Sequence, residues 1–167
     1  MHRYYGDGVH PIFGTETYEK PISWLLEECE SIEDWGCGMA WGKRYAEGRY
    51  KGIDGSPDAA RYADVISDLR DYTSDTDGIF MRHILEHNLD WEVILGNIMK
   101  SFRKRFALVL FTPFSEKTHP MVPHGLYDLS FAKGDIMRFF EGCRVTGETL
   151  VTDTQYQIEH IFYVEKL

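Results

Sequence analysis

Two short segments, residues 34–40 and 50–57, constrain the fold of this chain more than any others. In each, β-prone residues lead into a turn, with a Gly-x-Gly sequence at the first turn and an acid, Asp54, at the second. Gly36 and Gly38 have no side chain, so the backbone there can approach a ligand closely, and an acid that closes the next strand can accept hydrogen bonds from a ribose diol. The two segments predict two strand ends that flank one nucleotide site.

The length and composition are those of a globular domain. A chain of 167 residues is the size of one domain, so we expect a single unit with a leader and first helix over residues 1–30 and a core over residues 31–167. The longest apolar run, residues 106–111, is too short to cross a bilayer, so we expect no membrane segment. The first residues lack the apolar core of a signal peptide, which favours a cytoplasmic protein.

The net charge and the cysteine content limit the classes of substrate and of cysteine site that this chain is expected to have. The net charge of -9 argues against nucleic acid, because binding a phosphate backbone needs many Lys and Arg contacts. The one basic cluster, residues 100–105, falls where a helix is expected to end, and cations there complement the helix dipole. We therefore expect a small-molecule acceptor or a protein as the substrate. Neither a disulfide framework nor a metal site is predicted from three widely spaced cysteines, Cys29, Cys37 and Cys143.

Helices and strands alternate along the chain, as they do in an open and mostly parallel sheet, so the predicted fold class is α/β. The predicted helices cover residues 17–28, 91–102 and 130–141. The predicted strands cover residues 31–35, 50–53, 63–67, 78–82 and 106–111. Two further β-rich runs, residues 144–151 and 156–165, predict a C-terminal antiparallel hairpin at the edge of the sheet.

The segments between the predicted helices and strands also allow predictions. Residues 56–62 are too few for a crossover helix, so the connection after the second strand is expected to be trimmed to a turn or two. The proline-containing loop at residues 112–129 is too long for a plain connection and is predicted to be a lid that faces the substrate. Asp90 and Ser130 are predicted to cap the second and third helices, and Gly142 to end the third.

Four segments, spaced as a parallel sheet requires, resemble the class I, or Rossmann-like, S-adenosylmethionine-dependent methyltransferases of the small-molecule type. Residues 33–38, Glu-Asp-Trp-Gly-Cys-Gly, resemble the first motif of that family, and residues 52–57, Gly-Ile-Asp-Gly-Ser-Pro, resemble the second. Residues 64–69, Asp-Val-Ile-Ser-Asp-Leu, match the third. Residues 82–87, Arg-His-Ile-Leu-Glu-His, resemble a sequence that many small-molecule methyltransferases place after the fourth strand. The resemblance covers the chain from about residue 32 to the C-terminus.

The resemblance implies S-adenosylmethionine as the cofactor and methyl transfer as the activity. The backbone of the first motif would approach the methionine moiety, Asp54 would bind the ribose hydroxyls, and Asp68 would accept the adenine amino group. The cofactor-binding residues that it implies are Asp34, Gly36, Cys37, Gly38, Asp54, Gly55, Asp68, Leu69 and Arg82. This chain departs from the family at Ala40, where the family has a third glycine, and in the shortened connection after the second strand.

A nicotinamide or flavin dinucleotide is the main alternative ligand within the same fold class. Its G-x-G-x-x-G turn needs a small sixth residue where the helix packs on the strand, and Trp41 occupies that position. Asp68 has a role with adenine in a methyltransferase and none in the dinucleotide fingerprint. Both observations favour the methyl donor.

His83 is the candidate catalytic base, because it follows the fourth strand at the edge of the sheet where ligands bind. Glu86 and His87 are expected to have capping or solvated loop roles instead. Considered apart from the predicted fold, residues 83–87 also match H-x-x-E-H, which is a zinc peptidase signature when it lies on a helix. Here a strand at residues 78–81 precedes it, which places both histidines in a turn and argues against zinc.

Polar aromatic residues in the leader and the lid are candidates for lining an acceptor pocket. They are Tyr4, Tyr5, His10, His119, His124 and Tyr127. A third hypothesis for the whole chain is a catalytically silent methyltransferase-like domain that binds a nucleoside weakly, or none, and serves as an interaction module.

Overall fold

The computed structural model describes residues 14–121 and 128–167 of the chain. Its α-helices are α1 (Glu16–Leu26), α2 (Trp91–Ser101) and α3 (Lys133–Met137). Its strands are β1 (Ile32–Trp35), β2 (Tyr50–Asp54), β3 (Val65–Ile66), β4 (Thr76–Arg82), β5 (Phe102–Leu110), β6 (His119–Met121), β7 (Asp128–Ser130), β8 (Cys143–Leu150) and β9 (Glu159–Lys166). Short 3₁₀ turns lie at Trp41–Tyr45, Pro57–Ala59, Leu85–His87 and Arg138–Phe140.

Seven strands form one sheet in the order β3-β2-β1-β4-β5-β9-β8. The first five are parallel, and β9 pairs antiparallel with both β5 and β8. This confirms the predicted α/β fold, with a mostly parallel sheet and a C-terminal antiparallel hairpin. The sheet order reverses direction between β1 and β4, and ligands bind at such a switch point, outside the carboxyl ends of the strands.

The central strands are buried on both faces because helices cover both sides of the sheet. Along β5, Phe106 and Leu108 belong to the core on the side of α2 and α3, whereas Ala107 and Val109 pack on the side of α1. This alternation follows from the two-residue period of a strand. The continuous apolar run at residues 106–111 is therefore explained by burial on both faces.

The trimmed connection after the second strand is confirmed. The described residues between β2 and β3 contain only the 3₁₀ turn Pro57–Ala59, and the connection between β1 and β2 contains only the 3₁₀ turn Trp41–Tyr45. The carboxyl ends of β1, β2 and β3 therefore meet across short loops.

A helix does end within the basic cluster at residues 100–105, with Lys100 in its last turn, but the arginines of the cluster do not act as expected. Helix α2 stops at Ser101, and the arginines that follow belong to β5. Arg103 pairs with Asp77 at 2.8 Å, and Arg105 pairs with Glu27 of the α1 end at 3.0 Å. These cations tie β5 to neighbouring elements instead of complementing a helix dipole.

The capping prediction for Ser130 was wrong, and that for Asp90 holds for its position but not for a side-chain hydrogen bond. Ser130 is the last residue of β7, where its hydroxyl donates to the Pro113 carbonyl oxygen at 2.7 Å, and α3 begins only at Lys133. Asp90 does stand at the start of α2, but its side chain makes no capping hydrogen bond. Gly142 has a φ of 81° directly after the Arg138–Phe140 turn, which agrees with its predicted role as a terminator.

The predicted lid contains secondary structure of its own, since β6 and β7 pair antiparallel as a separate two-stranded sheet. His119 is exposed on β6, and its Nδ1 atom lies 2.8 Å from the Lys117 carbonyl oxygen. The other acceptor-pocket candidates lie outside the described residues: Tyr4, Tyr5, His10, His124 and Tyr127. In the described parts of the chain, no helix is long and apolar enough to cross a membrane.

Candidate functional site

An open cavity of about 420 Å³ lies at the carboxyl ends of β1, β2 and β3, beside the turn that follows β4. Its volume falls within the range of about 300 to 1,000 Å³ that is typical of small-molecule sites. Five of the nine predicted cofactor-binding residues line it: Gly36, Asp54, Gly55, Asp68 and Leu69. We call this cavity the cleft. The lining also includes Ile84, Asn88 and Arg70, which the sequence did not suggest.

The glycine turn after β1 lies close to the far wall of the cleft. Gly36 has a φ of 83°, in the left-handed region that favours glycine, and a Cβ atom there would lie 2.3 Å from the Ile84 side chain. Gly38 and Ala40 also have positive φ values, 51° and 56°. Gly36 is therefore required both for its backbone conformation and for the space that Ile84 occupies.

Asp54 joins the two turns that the sequence singled out. Its Oδ2 atom accepts a hydrogen bond from the Gly38 N–H at 2.8 Å, and its Oδ1 atom accepts one from the Ser56 N–H at 2.8 Å. Each carboxylate oxygen has a second lone pair, so both can accept a further hydrogen bond from a ligand. Asp54 thus fixes the shape of the cleft and presents acceptors to it.

Two other predicted residues, Asp34 and Cys37, are buried beneath the glycine turn and do not line the cleft. Asp34 accepts a hydrogen bond from the Tyr50 hydroxyl at 2.7 Å. Burial, together with the nearby Asp54 carboxylate, raises the pKa of Asp34 to about 7. Burial likewise raises the pKa of the Cys37 thiol, whose sulfur packs against Gly52. Both side chains support the turn from below.

Gly38 does not line the cleft with its own atoms, but its N–H group holds Asp54 in place. Arg82 points away from the cleft, toward α1. Its Nε atom donates to the Thr17 hydroxyl at 2.9 Å, and its guanidinium lies 3.1 Å from the Glu159 carboxylate of β9. Arg82 therefore connects β4, α1 and β9.

His83 belongs to the same buried group as Arg82. It has a φ of 56°, and its Nε2 atom lies 2.5 Å from the Glu159 Oε1 atom. Burial, together with the charge of Arg82, lowers the pKa of His83 to about 4. His83 is therefore neutral at pH 7, and Nε2–H donates to Glu159, whose own pKa is held low mainly by the hydrogen bond from His83 and the charge of Arg82.

Glu86 is neither a cap nor a solvated loop residue, contrary to the sequence-based expectation. It is fully buried, and its Oε1 atom accepts a hydrogen bond from the Phe111 N–H at 2.6 Å. Burial raises the pKa of Glu86 to about 8, and the charge of Asp128 adds to this effect. The place of Glu86 in the sequence motif does not show that its side chain is buried, because the burial arises from the packing of the ends of β4 and β5.

His87 lies at the end of the same turn and is oriented by an acid. Its Nδ1 atom is 3.1 Å from the Asp128 Oδ1 atom, and Asp128 Oδ2 accepts a hydrogen bond from the Tyr156 hydroxyl at 2.8 Å. As expected from the preceding strand, residues 83–87 do not form an α-helix: His83 is left-handed and Leu85–His87 is a 3₁₀ turn. Within residues 14–121 and 128–167, no group of three His, Cys, Asp or Glu side chains could hold a metal ion.

Three charged residues meet at the open end of the cleft. The Arg70 guanidinium contacts both carboxylate oxygens of Asp68, at 2.6 to 3.1 Å, and also reaches Asp90 Oδ2 at 3.1 Å. Hydrogen bonds from the side chain and backbone of Arg70 lower the pKa of Asp68 to about 2. Asp68, which the resemblance assigns to the adenine amino group, therefore already has a partner in this structure.

No protein-family model and no curated protein sequence matches the chain. Solved structures do. One is a magnesium protoporphyrin IX methyltransferase from Synechocystis PCC 6803 with bound SAM, which matches with a TM-score of 0.68 over 92% of this chain and 79% of that one, at 16% identity. This chain has the fold of the S-adenosylmethionine-dependent methyltransferases.

Two further structures with the methyltransferase fold match at similar levels. A 1,6-didemethyltoxoflavin-N1-methyltransferase from Burkholderia thailandensis, with bound S-adenosylhomocysteine, has a TM-score of 0.69 at 14% identity, over 90% of this chain and 78% of that one. A methyltransferase from Mesorhizobium loti has a TM-score of 0.66 at 13% identity, over 90% of this chain and 98% of that one. The fold expected from the four sequence segments is thereby confirmed.

Proposed function

We propose that this protein is an enzyme that binds S-adenosylmethionine in the cleft and transfers its methyl group to a small-molecule acceptor. The single observation that carries the proposal is the position of Asp54. This acid closes β2, the neighbour of β1 at the switch point of the sheet, lines the cleft and holds the glycine turn through the Gly38 N–H. Known methyltransferases with this fold, two of them solved with bound SAM or S-adenosylhomocysteine, support the same ligand.

The residues of the cleft fit such a ligand from one end to the other. The backbone at Gly36 would lie against the methionine moiety, Asp54 would accept hydrogen bonds from the ribose hydroxyls, and Asp68 with the Leu69 backbone would meet the adenine. The volume of the cleft suits a small molecule. Asp34, Cys37 and Arg82 would act from outside the cleft, by supporting the turn and the end of β4.

S-adenosylmethionine supplies an activated methyl group, so the protein has mainly to orient the acceptor and exclude water. For acceptors that must lose a proton, we propose His83 as the base. The Glu159 carboxylate, hydrogen bonded to Nε2, would stabilise the imidazolium that forms when His83 takes that proton. The low pKa keeps His83 neutral at pH 7, and His83 becomes an efficient base only if that pKa rises when the acceptor binds.

Isothermal titration calorimetry with S-adenosylmethionine and S-adenosylhomocysteine tests the proposal. Asp54→Ala should weaken binding by about 1.5 to 3 kcal/mol for each charge-assisted hydrogen bond lost. Asp64→Ala is the matched control, because Asp64 also accepts a backbone hydrogen bond, from Gly52 at 2.7 Å, but does not line the cleft. Equal affinity of Asp54→Ala and wild type would refute the ribose assignment.

A catalytically silent domain with this fold is the second candidate. It is favoured by the short connection after β2, whose described residues contain a 3₁₀ turn and no crossover helix. The calorimetric titration separates the two candidates: absence of binding at high micromolar ligand would support the silent domain and contradict our proposal.

A further inference from the structure

The strongest observation that the proposed function does not explain is the arrangement of Asp68, Arg70 and Asp90 at the rim of the cleft. Arg70 is the basic residue among those that line the cleft, where the acids are Asp54, Asp68 and Asp90. Its Nε atom donates to Asp68 at 3.0 and 3.1 Å, its second guanidinium nitrogen donates to Asp68 Oδ2 at 2.6 Å, and its first donates to Asp90 at 3.1 Å. The arginine therefore spans the rim between two acids from different elements.

Asp90 pairs with Arg70 instead of capping α2. It stands directly before α2, where an acid ordinarily accepts a hydrogen bond from the first turn of the helix. In this structure it makes no such bond and pairs with Arg70 instead.

The backbone under Arg70 is held separately from its side chain. Asn97 of α2 donates to the carbonyl oxygens of Leu69 and Arg70, at 3.1 and 2.8 Å. The Arg70 side chain, by contrast, is 53% exposed. The guanidinium can therefore leave Asp68 by side-chain rotation alone, while the Arg70 N–H keeps its hydrogen bond to Asp68 Oδ1 at 2.9 Å.

We propose, on the basis of the proposed function, that Arg70 is a specificity-determining latch. By latch we mean that the Arg70 guanidinium must leave Asp68 before the adenine of S-adenosylmethionine binds. With the latch closed, the rim presents guanidinium N–H donors, which cannot pair with the amino group of adenine. With it open, the Asp68 carboxylate is an acceptor for that amino group. Affinity for the cofactor then includes the cost of opening two ion pairs.

Binding of S-adenosylmethionine to wild type, Arg70→Ala and Arg70→Lys, measured by calorimetry, tests the latch. Arg70→Ala should bind about three- to tenfold more tightly, because exposed ion pairs are individually weak and two of them are removed. Arg70→Lys keeps the charge but loses the planar fork, so its gain should be smaller. Arg144→Ala is the matched control: Arg144 is 66% exposed and pairs with Glu165 on the far hairpin, so its loss should leave affinity unchanged.

Nucleosides provide the second readout, which depends on Asp68 itself. Arg70→Ala should improve binding of adenosine more than binding of inosine, because inosine has a carbonyl group where adenosine has the amino group. Equal or weaker binding of S-adenosylmethionine by Arg70→Ala, or an equal gain for both nucleosides, would overturn the latch alone. Failure of wild type and Arg70→Ala alike to bind S-adenosylmethionine would overturn the proposed function and the latch with it.

Discussion

At the scale of single residues, Ala40 carries backbone strain that the sequence only hinted at. It stands where the motif that this segment resembles has a third glycine, and its φ of 56° is left-handed. An L-residue with a Cβ atom pays about 1 to 2 kcal/mol for that conformation. The turn therefore keeps a left-handed residue at position 40, although that residue carries a Cβ atom.

Ala40→Gly should stabilise the protein by about 0.5 to 1 kcal/mol, since relief of the strain exceeds the extra entropy that glycine gives to the unfolded chain. Urea unfolding followed by circular dichroism measures the change. Ala60→Gly is the control, because Ala60 is exposed with a φ of -57° and should lose stability. Loss of stability in both variants would show that position 40 carries no strain.

Glu86 makes a pH-dependent contribution to the free energy of unfolding. Its pKa is raised to about 8 in the folded protein, so the folded state keeps a proton that the unfolded chain loses above about pH 4.5. Stability must then fall as pH rises between about 4.5 and 8, and Asp34, whose pKa is raised to about 7, acts in the same direction.

Glu86→Gln should remove the Glu86 part of this slope, because glutamine has no proton to lose. Between pH 5 and 8.5 the variant should gain about 4 kcal/mol in unfolding free energy relative to wild type. Urea unfolding at both pH values measures it, with Glu116→Gln, an exposed loop position, as the control. Parallel pH profiles for wild type and Glu86→Gln would mean that Glu86 is ionised when buried.

At the scale of elements, Arg105 shows how a charge can hold layers together. It is 8% exposed, donates to the Trp24 carbonyl oxygen and the Glu27 carboxylate of the α1 region, and its guanidinium lies 4.5 Å from the Trp24 ring. From its other side it reaches Glu165 of β9 at 3.5 Å. The residue thus joins α1, β5 and β9.

Arg105→Ala should destabilise the protein by about 2 to 4 kcal/mol, through lost packing and buried groups left without a partner. Arg144→Ala, an exposed arginine on β8, should change stability by less than about 0.5 kcal/mol. Thermal and urea unfolding compare the two variants. Similar small losses in both would show that Arg105 behaves as a surface charge.

The elements differ in how far the sequence predicts them. The apolar run at residues 106–110 predicts a buried strand because both faces are covered. The start of that strand at Phe102 was not predictable, because Arg103 and Arg105 find acidic partners in distant elements. Ser130 was misassigned for a similar reason: its hydroxyl bonds to Pro113, a contact that local capping rules do not foresee.

At the scale of the whole molecule, the order of the strands determines which residues line the cleft. Acids and glycines that close neighbouring parallel strands meet at the same edge, which is why Gly36, Asp54 and Asp68 could be predicted to share a site. The side-chain directions could not be predicted from motifs. Arg82 turns toward α1, and Arg70 covers Asp68, because tertiary partners determine both.

A crystal structure of the protein with S-adenosylhomocysteine is the most direct test of the central claim. We expect the ribose hydroxyls within hydrogen-bond distance of Asp54, the adenine amino group at Asp68, and the Arg70 side chain turned away from Asp68. A ligand bound elsewhere on the molecule, or a cleft that stays empty at saturating ligand, would contradict it.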